Sequence, residues 1–216
     1  MKFSESQREG FDLKMESSIK RRAENGVLFG VAVNDVDFPV AISVGRCRVA
    51  HRAYAAWLNM LNRCYSNSFA TYKDAIVCNE WLYFRNFLAW WKLNHVNGWE
   101  IDKDMLCDSE KIYSPETCVY VPKKINKFLT LRGNDRGGLA LGVTLQDGKF
   151  RARISDGTGR RIHLGYFGSE MEAHKKWLSA KLIMASDYRA ICDKIDVNLY
   201  PGMVRFIKSE AEKSIR

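Results

Sequence analysis

The alternation of apolar and polar residues between Leu141 and Phe167 constrains the fold of this chain more than any other feature. Three runs, LGVTLQ, KFRARIS and RRIHLGYF, alternate with a period of two residues, which predicts β-strands. One Asp-Gly pair separates the first two runs, and another separates the second from the third. Because Asp-Gly favours the tight turns of hairpins, the segment predicts a three-stranded antiparallel sheet.

The segment that follows the three runs predicts a helix, over SEMEAHKKWLSAKLIMASDYR. Ser169 and Glu172 stand three residues apart at its start, which is the spacing of a capping box. The order strand, strand, strand, helix predicts a domain over residues 139–190 in which the helix covers one face of the sheet. The apolar residues that recur at helical intervals are Ala173, Trp177, Ala180 and Met184.

Parity assigns each residue of the predicted sheet to one of two faces, since side chains alternate along a strand. We call the polar face the basic face, and it contains no acidic residue. The apolar set, which faces the helix, comprises Val143, Leu145, Phe150, Ala152, Ile154, Ile162 and Leu164. The basic face comprises Thr144, Gln146, Arg151, Arg153, Ser155, Arg161 and His163, with Lys149 and Arg160 near its rim.

The composition of the basic face predicts an anionic partner. Like charges that face each other across strands repel by roughly 0.2–1 kcal/mol per pair, and a bound anion would compensate this repulsion. Arginine also matches phosphate groups and guanine edges in a planar, bidentate manner. Because a narrow sheet can enter a major groove, we predict that this face binds double-stranded DNA. An ordinary polar outer face is the alternative.

The charge of the whole chain is consistent with a polyanionic partner. The 34 Lys and Arg residues exceed the 25 Asp and Glu residues, which gives a net charge of +9 and a pI near 9.3. Such an excess favours nucleic acid or an anionic membrane surface, although a merely soluble basic protein is an alternative. No apolar run approaches the ~20 residues of a membrane span, and the N-terminus lacks a signal-peptide core. The sequence therefore predicts a cytoplasmic protein without a membrane partner.

The rest of the chain predicts an α+β domain before the sheet domain. Short apolar runs predict strands, two segments with aromatic residues at helical spacing predict buried helices, and a strand–turn–strand unit follows at 98–126. The C-terminal tail predicts helix, broken at Pro201 and Gly202. The predicted segments are a basic arm (1–26), an α+β domain (27–131), a glycine-rich linker (132–138), the sheet domain (139–190) and a helical tail (191–216).

Six cysteines are present without a CxxC pair. In a reducing compartment this pattern favours buried thiols over disulfides. A zinc site built from Cys78, Cys107 and Cys118 is an alternative, although these residues lack the paired spacing of common zinc sites.

A set of glycine and apolar positions in the sheet segment matches a known family pattern: GV, then GK-aromatic-x-A-x-I, then LG-x-F. With it the segment resembles the plant ethylene-response-factor (Apetala-two type) DNA-binding domain, whose sheet lies in the major groove. Relatives of that domain occur in phage proteins, which implies a bacteriophage origin and the host cytoplasm. The matching positions are Gly142, Val143, Gly148, Lys149, Phe150, Ala152, Ile154, Gly159, Leu164, Gly165, Phe167 and Ala173.

The resemblance implies a binding mode but not a target sequence. Among the family's contact positions only Arg161 keeps the plant residue, and His163 replaces a tryptophan. The positions that the resemblance assigns to DNA contact are Leu141, Thr144, Gln146, Arg153, Ser155, Arg161 and His163.

The unit at 98–126 resembles HNH nucleases, which the relatives of the sheet domain often carry. HNH catalysis needs a histidine that activates water and a divalent metal ion. The resemblance implies Asp102 and Asp104 as catalytic residues and ligands of Mg²⁺, and His95, in the run NHVNG, as a further catalytic candidate. Lys103 stands where the histidine belongs, and SPETC replaces the asparagine-containing helix. An active, metal-dependent, site-specific endonuclease and a degenerate, non-cleaving domain both follow as alternatives.

Three functions therefore remain open from the sequence. The first is duplex-DNA binding by a phage or mobile-element protein, and the second is that protein with endonuclease activity. The third is a host-takeover factor whose basic surface binds an acidic host protein.

Overall fold

The computed structural model describes residues 2–19, 26–66, 68, 72, 74–107, 111–131, 138–155 and 160–215. It contains 47% helix and 23% strand and has a three-stranded antiparallel sheet next to a helix in its C-terminal part, which confirms the predicted fold class. The described residues do not include Lys20, Arg21 and Arg22, which are the basic cluster of the predicted arm, nor most of the linker, nor Gly159.

The secondary structure alternates short strands with helices along the chain. The helices are α1 (Glu5–Glu16), α2 (Arg52–Tyr65), α3 (Phe84–Asn94), α4 (Lys123–Leu129), α5 (Glu170–Ser186), α6 (Arg189–Ile195) and α7 (Leu199–Ser214), with a 3₁₀-helix at Asn79–Leu82. The strands are β1 (Val27–Leu28), β2 (Ala32–Val33), β3 (Ala41–Val44), β4 (Cys47–Ala50), β5 (Ile76–Val77), β6 (Trp99–Asp102), β7 (Ile112–Tyr113), β8 (Val119–Pro122), β9 (Val143–Gln146), β10 (Lys149–Ser155) and β11 (Arg161–Phe167).

The chain divides into two compact units. The first unit contains Met1–Asn97 and Lys111–Cys118, and the second contains Gly98–Glu110 and Val119–Arg216. The boundary between the units falls within residues 27–131, which the sequence analysis predicted to be one domain. Strands from this stretch belong to both units.

The first unit is organised around the aromatic faces of α2 and α3. Trp57 in α2 and Phe84 and Phe87 in α3 are fully buried, as the helical spacing of aromatic residues predicted. The Trp57 indole N–H donates to the Trp81 carbonyl at 2.6 Å, so the buried indole has a hydrogen-bond partner. Around these helices, β1–β2 and β3–β4 form antiparallel hairpins, and β5 pairs with β7 in parallel.

The second unit contains the predicted sheet, with strand order β11–β10–β9, and α5 packs on one face of it. The capping box at the start of α5 is confirmed. The Ser169 hydroxyl accepts the Glu172 backbone N–H at 3.3 Å, and the Glu172 carboxylate accepts the Ser169 N–H at 3.2 Å. Ala173 and Trp177 are buried in the apolar clusters between α5 and the sheet, as predicted.

Gly142 lies against the indole of Trp177. Its φ of +79° favours glycine, and a Cβ at this position would lie 2.0 Å from atoms of the Trp177 ring. The close packing of helix on sheet therefore accounts for glycine at this position.

The C-terminal tail is helical, but the predicted break at Pro201 and Gly202 is wrong. Helix α7 runs from Leu199 through both residues. Pro201 lies in the first turn of α7, where a backbone N–H has no partner within the helix and a proline is tolerated. Gly202 is buried, and a Cβ there would lie 1.6 Å from the Met105 carbonyl oxygen. This glycine therefore allows a close approach of backbones and does not end the helix.

Candidate nucleic-acid interface

The strand register brings the residues of the basic face together. Arg151 of β10 lies opposite both Thr144 of β9 and Tyr166 of β11, and Arg153 lies opposite His163. Residues directly opposite each other in a sheet share a face, so these side chains project from the same side. Further pairs on that side are Lys149 with Gln146 and Ser155 with Arg161.

A β-bulge in β11 was not predicted from the sequence. Ala152 pairs with Gly165, whereas the next residue, Arg153, pairs with His163, so Leu164 is an extra residue in its strand. Gly165 has a φ of +129°, which is open to glycine and strained for other residues.

The bulge reverses the alternation for the end of β11. Strict alternation would place Tyr166 on the apolar side and Phe167 on the basic face. Instead Tyr166 lies opposite Arg151 and is 49% exposed, while Phe167 packs against the apolar cluster of the sheet. The basic face therefore gains an aromatic side chain with a hydroxyl group. The sequence carries a signal for this reversal of faces. Leu164 and Phe167 are both apolar but stand three positions apart, with a glycine between them.

Helix α5 covers only part of the apolar side of the sheet, whereas the sequence predicted that the whole apolar set faces the helix. Leu145 shares its side with Phe150 but is 60% exposed, and Ile162 is 39% exposed. Helix α5 therefore covers the middle of the sheet and leaves these two side chains at its margins.

Positive charge is concentrated on the basic face. Partial burial lowers the pKa of Arg153, and the positive charges of Arg151 and Arg161 lower it further, while Tyr166 raises it. Among the described residues, no carboxylate lies within ion-pair distance of Arg151 or Arg153. The face therefore combines cationic side chains that repel one another, and an anion would remove this repulsion.

Polar neighbours hold several of these side chains in position. The Arg151 Nε–H donates to the Thr144 hydroxyl at 3.4 Å, and the Tyr166 hydroxyl donates to Gln146 Oε1 at 3.3 Å. The His163 and Tyr166 rings lie 4.8 Å apart. The rest of the predicted binding set, Lys149, Arg160 and Arg161, is exposed.

The residues predicted to be catalytic lie in different units. His95 follows α3 in the first unit, whereas Asp102 and Asp104 belong to the second. The His95 ring stacks on Trp91 at 4.1 Å, and its Nε2 lies 3.1 Å from Asn97 Oδ1. Burial lowers the pKa of His95, the hydrogen bond to Asn97 raises it, and the nearby Arg52 lowers it again, so that the pKa ends below its ordinary value.

Asp102 lies at the end of β6 and holds the turn that follows. It is buried, and its Oδ1 accepts the backbone N–H groups of Asp104 at 2.9 Å and Met105 at 3.0 Å. Burial raises its pKa to about 6, and the negative charge of Asp104 adds to this effect, whereas the two N–H groups and Lys103 oppose it. The Asp104 carboxylate pairs with the Lys103 ammonium group. The geometry thus assigns both carboxylates to the turn.

Asp102 ends a strand of a two-stranded sheet. Strand β6 pairs antiparallel with β8, and α4 follows β8 directly. Across this unit the Asn126 amide of α4 donates to Glu100 Oε2 at 2.6 Å. Within the described ranges, no group of three or more His, Cys, Asp or Glu side chains is arranged to hold a metal ion. All six cysteines lie in the described residues and none forms a disulfide, and Cys107 lies in a different unit from Cys78 and Cys118.

Asparagine and alanine at position 102 are expected to differ sharply in their effects on stability. Asp102→Ala leaves two buried N–H groups without an acceptor and should cost about 1–3 kcal/mol of unfolding free energy. Asp102→Asn keeps the acceptor and removes the buried charge, so the protein should be at least as stable as the wild type at pH 7. Urea unfolding followed by circular dichroism measures both effects.

The pH dependence provides the check on that comparison. The folded-state pKa of Asp102 is raised, so the folded protein binds this proton more tightly than the unfolded chain does. Its contribution to stability is therefore lost as the pH rises from about 4 to about 6, by at most about 3 kcal/mol. The unfolding free energy of the Asp102→Asn variant should lack this dependence on pH, since asparagine does not titrate. If Asp102→Ala and Asp102→Asn lost the same unfolding free energy at pH 7, the charge of Asp102 and not its hydrogen-bond acceptor would stabilise the protein. That result would contradict the assignment of Asp102 to the turn.

The fold and the site define an α+β protein whose second unit exposes an arginine-rich sheet face. Comparison of the chain with protein-family models, with curated proteins and with solved structures found no match. The two family resemblances read from the sequence therefore stay predictions. In the part of the chain that the structure describes, no helix has the length and apolar character needed to cross a membrane.

Proposed function

We propose that this protein binds double-stranded DNA through the basic face of its second unit. The observation that carries the proposal is the placement of Arg151, Arg153 and Arg161 on one side of a three-stranded sheet. Besides partial burial, the positive charges of Arg151 and Arg161 lower the pKa of Arg153, as expected for neighbouring cations. A phosphate backbone would turn this repulsion into attraction.

The dimensions of the sheet suit a major groove. Three strands about 4.8 Å apart span about 10 Å, and the groove is about 12 Å wide. Helix α5 supports the sheet from the opposite side, so the basic face can enter a groove as a preformed surface. A duplex therefore fits this face better than a flat partner would.

The side chains on this face also suit base edges. Arginine donates two parallel hydrogen bonds to guanine, glutamine pairs with adenine, and threonine contacts either type of base. Gln146 and Thr144 lie beside Arg151, where they could complete such contacts. An acidic protein surface, the alternative partner, would use the charge of this face but not its amide and hydroxyl groups.

Binding to a 20-base-pair duplex of mixed sequence is expected to weaken steeply with salt. If four of the basic side chains contact phosphates, the logarithm of the binding constant should fall with the logarithm of salt concentration at a slope of about −4. Fluorescence anisotropy in potassium chloride between low and physiological concentrations measures this slope.

Poly-glutamate of matched charge is the control ligand for that titration. If the charge alone matters, poly-glutamate should displace the duplex at the same charge concentration, and the acidic-protein alternative would then be favoured. A slope near zero with the duplex would contradict DNA binding by this face.

The endonuclease prediction needs a separate measurement. Incubation of supercoiled plasmid with saturating protein and Mg²⁺ or Mn²⁺ tests it, since a single cleavage converts the plasmid to open circles. Nicking with either metal would add catalysis to the proposed DNA binding, and its absence would leave DNA binding as the whole of the proposal.

A further inference from the structure

Helix α1 of the first unit carries four carboxylates on one side. Glu5, Glu9, Asp12 and Glu16 are separated by four, three and four residues, which places them along one face of the helix. The opposite ends of this row, Glu5 and Glu16, both contact basic side chains of α2 or α3. The helix therefore presents an acidic stripe to its own unit.

The central contact of α1 is a clamp around Asp12. One of its oxygens accepts the Arg52 backbone N–H at 3.0 Å, and the other accepts Arg52 Nε–H at 2.5 Å. Asp12 is buried, and the Arg52 side chain is only 15% exposed. Arg52 thus holds Asp12 with its backbone N–H and its guanidinium Nε–H, while its Nη1 donates to Asn97 Oδ1 at 2.7 Å. A guanidinium N–H donates to a phosphate oxygen as it does to a carboxylate oxygen.

A second clamp lies one turn further along α1. Glu16 accepts hydrogen bonds from His51 Nε2 at 3.0 Å and from the Lys92 ammonium group at 2.6 Å. Burial raises the pKa of Glu16, but the contacts with Lys92 and His51 lower it by more, so its pKa lies below the ordinary value. Glu16 therefore holds its negative charge against two basic groups.

Two stacked aromatic rings lie beside these cations. The Arg52 guanidinium lies 5.5 Å from the centre of the Trp91 ring, and the His95 ring stacks on Trp91 from α3. These residues line a cleft of about 660 Å³ together with Lys92 and the acidic side of α1. Trp91 is buried, so its ring supports Arg52 from below, and the Arg52 and Lys92 cations are the groups that would contact a phosphate backbone.

We infer that Arg52 and Lys92 form a second nucleic-acid-binding site, specific for the phosphate backbone, which the acidic stripe of α1 occupies in the free protein. The inference takes one element from the proposed function, namely that the ligand is a nucleic acid. Asp12 and Glu16 stand in for two phosphates, and a strand that enters the site displaces them.

The weak packing of α1 makes such an exchange accessible. Within α1, only Asp12 and Met15 are buried, so burial of apolar surface contributes little to holding the helix in place. A segment held mainly by ion pairs opens locally more easily than one held by a core. Competition from a polyanion removes those ion pairs directly.

The test compares shape-preserving substitutions that remove the two clamped charges. Asp12→Asn/Glu16→Gln should bind a 20-base-pair duplex roughly fivefold or more tightly than the wild type, because the competing ion pairs are lost. The salt slope should steepen by roughly 2, since Arg52 and Lys92 become available for phosphates. The matched control, Glu210→Gln/Glu212→Gln in α7, changes the net charge equally and should show neither the full gain nor the steeper slope.

A third substitution locates the gain. Adding Lys92→Ala to Asp12→Asn/Glu16→Gln should remove most of it, and a gain that persists unchanged would overturn the inference. If the double variant fails to fold, hydrogen exchange of residues 5–16 in the wild type decides the matter. The α1 amides should exchange faster with saturating DNA than without it, and unchanged protection would equally overturn the inference.

The same measurements in an Arg153→Ala/Arg161→Ala background keep the two proposals distinguishable. If the basic face does not bind DNA, this background should bind as the wild type does, while faster exchange of α1 with DNA would still support the second site. If the background loses binding and α1 stays protected at every DNA concentration, the second site is wrong and the proposed function stands.

Discussion

Replacing Arg153 and Arg161 together by alanine is expected to weaken duplex binding by about two orders of magnitude. Each arginine can make a contact worth about 1–3 kcal/mol with a base edge or a phosphate. Arg153 lies in the central strand of the sheet, and Arg161 lies at the start of the neighbouring edge strand. Stability should change little, by less than about 1 kcal/mol, since the loss of stem packing is offset by relief of repulsion with Arg151. Anisotropy titrations and urea unfolding of the same preparations measure both quantities.

Lys175→Ala/Lys176→Ala is the matched control for charge. Both lysines are exposed on α5, which packs on the opposite side of the sheet, and their loss changes the net charge by the same amount. An equal loss of affinity in the two double variants would mean that net charge and not the basic face determines binding. Arg153→Lys/Arg161→Lys separates charge from geometry, because lysine keeps the charge and lacks the planar fork. Intermediate affinity with reduced sequence preference is the expected result.

Gly202→Ala is expected to destabilise the second unit strongly. The new Cβ would lie 1.6 Å from the Met105 carbonyl oxygen and 2.7 Å from its carbon, and both are backbone atoms. Neither can move aside as a flexible side chain would, so α7 or the turn after β6 must shift. Met105 and its neighbour Met203 are fully buried in the same core, and a shift there disrupts packing. We expect a loss of about 3 kcal/mol or more of unfolding free energy.

Gly10→Ala, which is also a glycine-to-alanine change inside a helix, is expected to raise the free energy of unfolding. Gly10 lies inside α1, and nothing lies within 4 Å of the position of its Cβ. Alanine there should stabilise by about 0.5–1 kcal/mol, because it favours helix over the unfolded chain. Chemical unfolding monitored by circular dichroism compares the two. A loss below about 1 kcal/mol for Gly202→Ala would mean that the backbones of α7 and Met105 do not approach so closely.

Much of the candidate site follows from local rules. The alternation of residues in β9 and β10, the Asp-Gly turn between them and the parity of Arg151 and Arg153 depend on neighbours in the chain. Asp147 and Gly148 both have positive φ values, 50° and 73°, as the predicted tight turn requires. Tyr166 was missed because its side is set by the bulge, and a bulge depends on how β11 pairs with β10.

The predicted catalytic set shows the opposite case. Its residues follow from the resemblance to HNH nucleases, and a resemblance in sequence does not report which side chains meet. The structure assigns Asp102 to a backbone turn and His95 to the cleft of another unit. Backbone N–H groups donate to Asp102 Oδ1, and the catalytic role of these residues stays a prediction that the plasmid-nicking assay tests.

The sequence by itself determined the features that depend on residues close together in the chain. These are the three-stranded sheet, the capping box of α5, the aromatic cores of α2 and α3 and the arginines on one face of a strand. Tertiary structure alone decided which distant segments share a core, where β11 bulges and why position 202 is glycine. It also buries Lys181, whose ammonium group donates to the Phe128 carbonyl and whose pKa burial lowers to about 8. The physical reason is range: periodicity and turn chemistry act over a few residues, whereas burial, register and backbone contact depend on partners that the chain brings together only by folding.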